Sequence, residues 1–329
     1  MSSFTILTYS SRSGSTYLAR EIARRFDVVV VPEFQCAYPA LSHHPGSVLR
    51  PEQVRYLLDR DQQLHWVEDQ EVDELLAAGS VSPGDLVRWV VDRFRARQGA
   101  ESTDYLLKLG GLSLTWPQVR EHLPGVRGLN VVRDGRAVVN SLMSTPSPYL
   151  GGSLDMGYGD PIWSAKTWAR DVRAQARCAA SFPASFKSYR YEDLVRHPDE
   201  TVDAIGSDQG WRSADYERTF AVTPAEKAIH RNIDGPALES RIRGWEMELS
   251  RKDRVVVEGI VGDDLRRLGY DDHLEVSSRE RQGTIVRARL SHVRRQAAGW
   301  YQRLLRLKSP QDFADRVRRR VAQRLAWRS

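Results

Sequence analysis

Residues 4–9 are an apolar run, residues 10–15 a Ser/Gly-rich turn, and residues 16–26 carry Leu18, Ile22, Ala23 and Phe26 at helical spacing. A buried strand that turns through small residues straight into a helix leaves few architectures open. It is the opening unit of a parallel sheet covered by helices. The alternation continues down the chain. Residues 27–31 place four valines after an aspartate, too short for a helix and β-branched, hence a second buried strand. Residues 105–109, 128–132 and, more weakly, 185–189 read as further strands. Residues 51–60, 68–78, 83–98, 160–180, 239–249 and 251–268 read as helices. Residues 144–160 form a Gly/Pro/Ser-rich loop, long for a compact domain, which suits a lid or an acceptor-binding element.

Composition adds three limits. The 329 residues are 41% apolar and 28% charged, which fits a globular α/β unit with a core. No run reaches the roughly 18 apolar residues of a membrane span, and residues 1–3 lead into a strand with no basic leader. Two cysteines, Cys36 and Cys178, are too few for a disulfide framework or a thiolate zinc site. The expected setting is therefore cytoplasmic. The net charge of +6 is unevenly divided: residues 281–329 hold 14 Lys and Arg against 2 acidic residues, or +12, leaving −6 for residues 1–280. The expected division is a catalytic domain over residues 1–275 and a basic amphipathic tail over residues 276–329.

That tail has two helical patterns, 284–308 and 310–327. In the first, Val286, Leu290, Val293, Ala297, Trp300, Leu304 and Leu307 make one apolar stripe among arginines. A helix lying on an anionic membrane surface ranks first among its readings. A dimerising coiled coil and a helix packed on the acidic body stay open. Nucleic acid is not expected, since no binding fold accompanies the charge.

The turn Ser10-Ser11-Arg12-Ser13-Gly14-Ser15-Thr16 is of the kind that points backbone N–H groups and a helix dipole at an anion, and taken alone it fits a generic phosphate-binding turn or a merely structural one. An ATP-type loop places lysine directly after its last glycine; here Ser15 follows Gly14 and the cation, Arg12, precedes it. A second element runs from Arg133 at a strand end to Ser141, eight residues on in the following helix.

Together these resemble the 5′-phosphosulfate loop and the 3′-phosphate element of sulfotransferases that use 3′-phosphoadenosine-5′-phosphosulfate (PAPS). Tyr191-Glu192-Asp193-Leu194, then His230-Arg231-Asn232 with Gly235-Pro236, and Trp245 with Leu249 resemble looser segments of the same family. The resemblance covers residues 4–270. It implies a P-loop-like three-layer α/β sandwich with a central parallel sheet, followed by the basic helical tail. It also implies in-line transfer of a sulfuryl group from PAPS. Arg12, Ser13, Gly14, Ser15 and Thr16 would bind the cofactor's 5′ end. Arg133 and Ser141 would take the 3′-phosphate, with Tyr191, His230, Arg231 and Asn232 completing the cofactor site. Arg12 and Lys108 would steady developing charge. No metal is required when cations neutralise the leaving phosphate.

Members acting on phenols and steroids carry a histidine two residues after the lysine, where this chain has Gly110. Carbohydrate-type members place a glutamate after the second strand, and Glu33 in Val31-Pro32-Glu33-Phe34 fits that position as the general base. His43 and His44 are the fallback bases. The expected acceptor is a carbohydrate-like small molecule or a lipid-linked sugar (a glycolipid), selected by segments such as 41–63 and 144–160. Two other functions remain open: a P-loop kinase or NTPase, and a non-catalytic module that binds PAPS or its product and is tethered by the tail.

Overall fold

The computed structural model describes residues 3–43, 46–61, 63–145, 156, 159–215, 238–271 and 274–305, excluding the side chains of 291 and 294–305. His44, residues 230–232, the Gly235-Pro236 turn, most of the 144–160 loop and the second tail helix lie outside this set.

In chain order the elements are β1 (Ser3–Tyr9), α1 (Ser15–Arg25), β2 (Val29–Val31), α2 (Ala37–Leu41), α3 (Pro51–Asp59), α4 (Asp69–Ala77) and α5 (Pro83–Arg97). Next come β3 (Asp104–Lys108), a 3-10 turn (Gly110–Thr115), α6 (Trp116–His122), β4 (Arg127–Val132) and α7 (Gly135–Ser144). Then follow α8 (Pro161–Ser181), β5 (Phe186–Arg190), α9 (Tyr191–Arg196) and α10 (Pro198–Gln209). The last are α11 (Ser240–Arg243), α12 (Trp245–Glu248), α13 (Arg251–Arg267) and α14 (Ser278–Leu305).

The strands pair in the order β2-β3-β1-β4-β5, all parallel. In register, Leu7 of β1 sits between Lys108 of β3 and Leu129 of β4. Alternate residues feed two helical layers. Leu7, Tyr9, Leu129 and Val131 pack with Leu18 and Ile22 of α1, Leu194 of α9, and Val202 and Ile205 of α10. Val132 joins the other layer, with Val138 of α7, Trp168 of α8, and Val257 and Leu265 of α13. Complete burial of such side chains contributes about 1.5–3 kcal/mol each, which makes this three-layer arrangement the stable partner of near-continuous apolar strands. Because every strand runs the same way, all five carboxyl ends open on one edge. The chain leaves β1 towards β2 on one side and later reaches β4 on the other, and that reversal creates a crevice.

Several boundaries differ from the sequence reading. The helix expected over 239–249 is two short turns meeting at Gly244. Helices α2, α6 and α10 were not anticipated; each contains or begins near a proline, at Pro39, Pro117 and Pro198, which the first turn of a helix accepts. The tail helix starts at Ser278 rather than residue 284, because Ser277 accepts the Glu280 N–H (3.2 Å) and its carbonyl takes the Arg281 N–H (2.9 Å). The chain divides into two compact units, Met1–Leu274 and Glu275–Ser329. Among the described residues, no helix is long and apolar enough to cross a membrane.

Candidate active site

The turn after β1 holds the one non-glycine residue with positive φ among the described residues, Arg12 at 71°. Such a conformation costs about 1–3 kcal/mol and persists where the surroundings enforce it. Here it directs the Arg12 carbonyl to Arg133, whose Nη1 donates to it at 2.9 Å. The Arg12 side chain reaches the other way, its Nε donating to Ser141 Oγ at 3.0 Å. Thus the turn and the Arg133–Ser141 element, separate in sequence, form one cluster.

The turn is closed by Ser13, whose N–H (3.1 Å) and hydroxyl (2.5 Å) both donate to the Ser10 carbonyl. Gly14 then starts α1 at φ 86°, with no side chain capping the helix and no acidic residue in its first turn. The positive end of the dipole is left facing the crevice, beside the buried Ser15 and Thr16. Glycine is required at 14 twice over. Its φ is left-handed, and a Cβ there would sit 2.3 Å from Tyr191 Cδ2.

Tyr191 begins α9 and also lies under Arg133, whose guanidinium carbon is 4.4 Å from the ring centroid. The next residue, Glu192, accepts the Asp134 N–H (3.0 Å) and the Tyr270 hydroxyl (2.9 Å), tying the ends of β4 and β5 together. Burial raises the Glu192 pKa above the usual carboxylate range, despite the hydrogen bonds that oppose it. On the far side, Trp168 Nε1 donates to the Arg133 carbonyl (3.1 Å). Arg136 is buried between Asp134 (2.8 Å) and Glu258 (3.4 Å), over the Trp245 ring. Arg133 is therefore held by well-packed, hydrogen-bonded neighbours.

Its own hydrogen bonding is incomplete. Nη1 and Nη2 serve the carbonyls of Arg12 and Arg241 (2.6 Å for the latter), while Nε is buried with no partner among the described residues. Leaving such a donor unmet costs about 1–3 kcal/mol. Burial first, then the charges of Arg133 and Arg241, push the Arg12 pKa down to about 10. Three guanidinium groups crowding one crevice, one with an orphaned N–H, suit a phosphate anion. Arg241 was missed from the sequence. It lies in the segment expected to be a helix over 239–249, but nothing in its spacing marks it.

Around β2, both oxygens of Glu33 are engaged: the Tyr38 hydroxyl donates to Oε1 (2.9 Å) and the Tyr9 hydroxyl to Oε2 (3.2 Å). Tyr9 ends β1, so it joins the turn before α1 to Glu33. Burial and the neighbouring carboxylate drive the Tyr38 phenol pKa well up, keeping it a neutral donor. Lys108 is buried at the end of β3. Gly110 leaves no room for a side chain: a Cβ would lie 2.8 Å from the Tyr9 ring and 2.9 Å from its carbonyl oxygen. This explains physically why no histidine occupies that place. The His43 carbonyl lies 3.0 Å from the His122 ring nitrogen.

Comparison with known proteins bears on the fold and the family. The sulfotransferase domain from the curacin biosynthetic pathway shares the fold, with a TM-score of 0.56 at 12% identity, over 82% of this chain and 99% of that one. Protein-tyrosine sulfotransferase A of Caenorhabditis elegans is 23% identical over 207 residues, 60% of this chain and 53% of that protein, so the chain spans about half the length of this curated relative. The model of the sulfotransferase family matches residues 10–215, from the turn before α1 to beyond α10. The chain belongs to the sulfotransferase family, whose members draw their sulfuryl group from PAPS.

Proposed function

We propose that the protein transfers a sulfuryl group from PAPS to a hydroxyl of a carbohydrate-like or lipid-linked sugar acceptor, with Glu33 as the general base. The observation that carries this reading is the Arg12–Arg133–Arg241 cluster, in which Arg133 Nε is buried with no partner among the described residues. Arg133, Ser141, Arg12 and the open N-terminus of α1 would hold the phosphates, with Tyr191 behind them. When bound, PAPS supplies the sulfuryl group and a 5′-phosphate that departs with the electron pair of the broken S–O bond.

The residues then divide the work. Arg12 and the α1 N-terminus oppose charge that grows as that phosphate departs, so they favour the transition state over the ground state. Lys108, at the end of β3, is assigned to the sulfuryl end. Glu33 accepts the proton of the acceptor hydroxyl, and Tyr9 and Tyr38 hold its carboxylate in one orientation. His230, Arg231 and Asn232 retain their proposed cofactor role on sequence grounds.

The similarity to a protein-tyrosine sulfotransferase favours a second acceptor class, a peptide tyrosine. The test is labelled-sulfate transfer from PAPS to a panel of sugars, glycolipids and tyrosyl peptides, for the native protein and Glu33→Gln. The variant should bind adenosine-3′,5′-bisphosphate normally and lose about 10²–10⁴ in turnover. Near-normal turnover would remove Glu33 as base, and transfer to peptides alone would replace the sugar acceptor.

A further inference from the structure

Helix α14 has an unusual division of faces. Val286, Leu290 and Val293 recur at i, i+4 and i+7, and they are 55%, 58% and 62% exposed. Thr284 and Ala288, roughly 160–200° round the helix at 100° per residue, are 6% and 5% exposed. The branched aliphatic stripe of α14 is therefore exposed along its length from Val286 to Val293. Isolated exposed apolar residues need no explanation, but an aligned stripe on one helix face does.

The charges beside the stripe decide what can cover it. Arg287 and Arg289 flank it and are exposed. Between residues 281 and 311 the sequence contains no Asp or Glu at all. A second copy of the helix would bring arginines against arginines, with none of the complementary flanking charges that pair coiled coils. An anionic lipid surface meets both demands: headgroups neutralise the arginines while the aliphatic side chains enter the acyl boundary. In sequence the same spacing continues through Ala297, Trp300 and Leu304, adding an aromatic residue of the kind enriched at that depth.

We infer that the exposed Val286–Leu290–Val293 face of α14 is a docking surface for an anionic membrane. The inference stands apart from sulfuryl transfer, because the catalytic residues all precede the tail.

The test is flotation of the full chain with vesicles of phosphatidylserine and phosphatidylcholine, or of phosphatidylcholine alone. Binding is expected only to the anionic vesicles, weakening as salt shortens the screening length from about 10 Å at 0.1 M to about 3 Å at 1 M. A full-length Val286→Ser/Leu290→Ser/Val293→Ser variant should partition at least about tenfold more weakly. Calorimetry with adenosine-3′,5′-bisphosphate checks that its body remains folded. An Arg287→Gln/Arg289→Gln variant should lose much of the preference for anionic lipid. Failure of the native chain to float with phosphatidylserine, or undiminished binding by the triple serine variant, would overturn the inference. So would light scattering that shows a native dimer converted to a monomer by the serine substitutions, since the stripe would then be a face for self-association.

Discussion

Replacing Arg12 by methionine should make the ligand-free protein more stable while weakening its grip on nucleotide. The Arg12 pKa falls well below the ordinary arginine value, to about 10, because the guanidinium is buried and faces Arg133 and Arg241. That shift corresponds to roughly 3 kcal/mol of penalty on the charged form, to order of magnitude. The sign follows from linkage. A cation with a depressed folded-state pKa is disfavoured wherever it is protonated, so the penalty is fully present below about 10 and is relieved only as pH climbs from there towards the ordinary arginine pKa. Neutral pH therefore carries all of it, and substitution rather than titration is the practical probe. Methionine fills a similar volume without charge. It forfeits the Arg12–Ser141 hydrogen bond, about 1 kcal/mol, leaving a net gain of about 1–2 kcal/mol. For a chain this size that raises Tm by roughly 2–6 °C. Adenosine-3′,5′-bisphosphate should stabilise the native protein more than the variant, because the anion relieves the repulsion that the variant no longer has. Thermal unfolding of both proteins with and without the bisphosphate is the assay. A variant several degrees less stable without ligand, yet equally stabilised by it, would refute the argument that the cluster is held in strain for an anion.

Two further substitutions probe the supports of the site. Tyr38→Phe keeps the ring but removes one of the two hydroxyls holding Glu33; turnover should fall about tenfold, with bisphosphate affinity unchanged by calorimetry. Gly14→Ala drives a methyl into the Tyr191 ring at a left-handed φ, so unfolding should show a loss of about 2–4 kcal/mol and bisphosphate binding should weaken with it.

The parallel sheet was legible because four of its strands, β1 to β4, are buried along nearly their whole length, whereas β5, with only Phe186 buried, reads more weakly. Runs such as 29–31 and 128–132 admit almost no polar residue, and the intervening helices show 3.6-residue spacing. The segments proposed to bind phosphate stood out too, since each depends on local spacing: the turn before α1, and Arg133 with Ser141. What sequence could not supply was their convergence. The Arg12–Ser141 contact spans 129 positions, and it depends on the positive φ of Arg12. Arg241 enters the cluster from α11 across 108 positions, partly through a backbone carbonyl, and carbonyls carry no side-chain signature. The pairing of Glu33 with Tyr9 and Tyr38 was hidden for a similar reason: one partner lies on β1, the other on a five-residue helix containing Pro39. Gly110 reads in sequence as a missing histidine, and only the packing of Tyr9 against it shows why no side chain fits. The tail stripe was visible as a pattern, but that Val286, Leu290 and Val293 are more than half exposed was not.

The central claim is that the arginine cluster exists to bind a nucleotide carrying phosphates at both its 3′ and 5′ positions. Calorimetric titration with adenosine-3′,5′-bisphosphate and, separately, with AMP isolates the 3′-phosphate. A charge-assisted contact from Arg133 is worth about 1.5–3 kcal/mol, so the bisphosphate should bind roughly ten- to a hundredfold more tightly than AMP. Equal affinity for the two nucleotides would contradict the account.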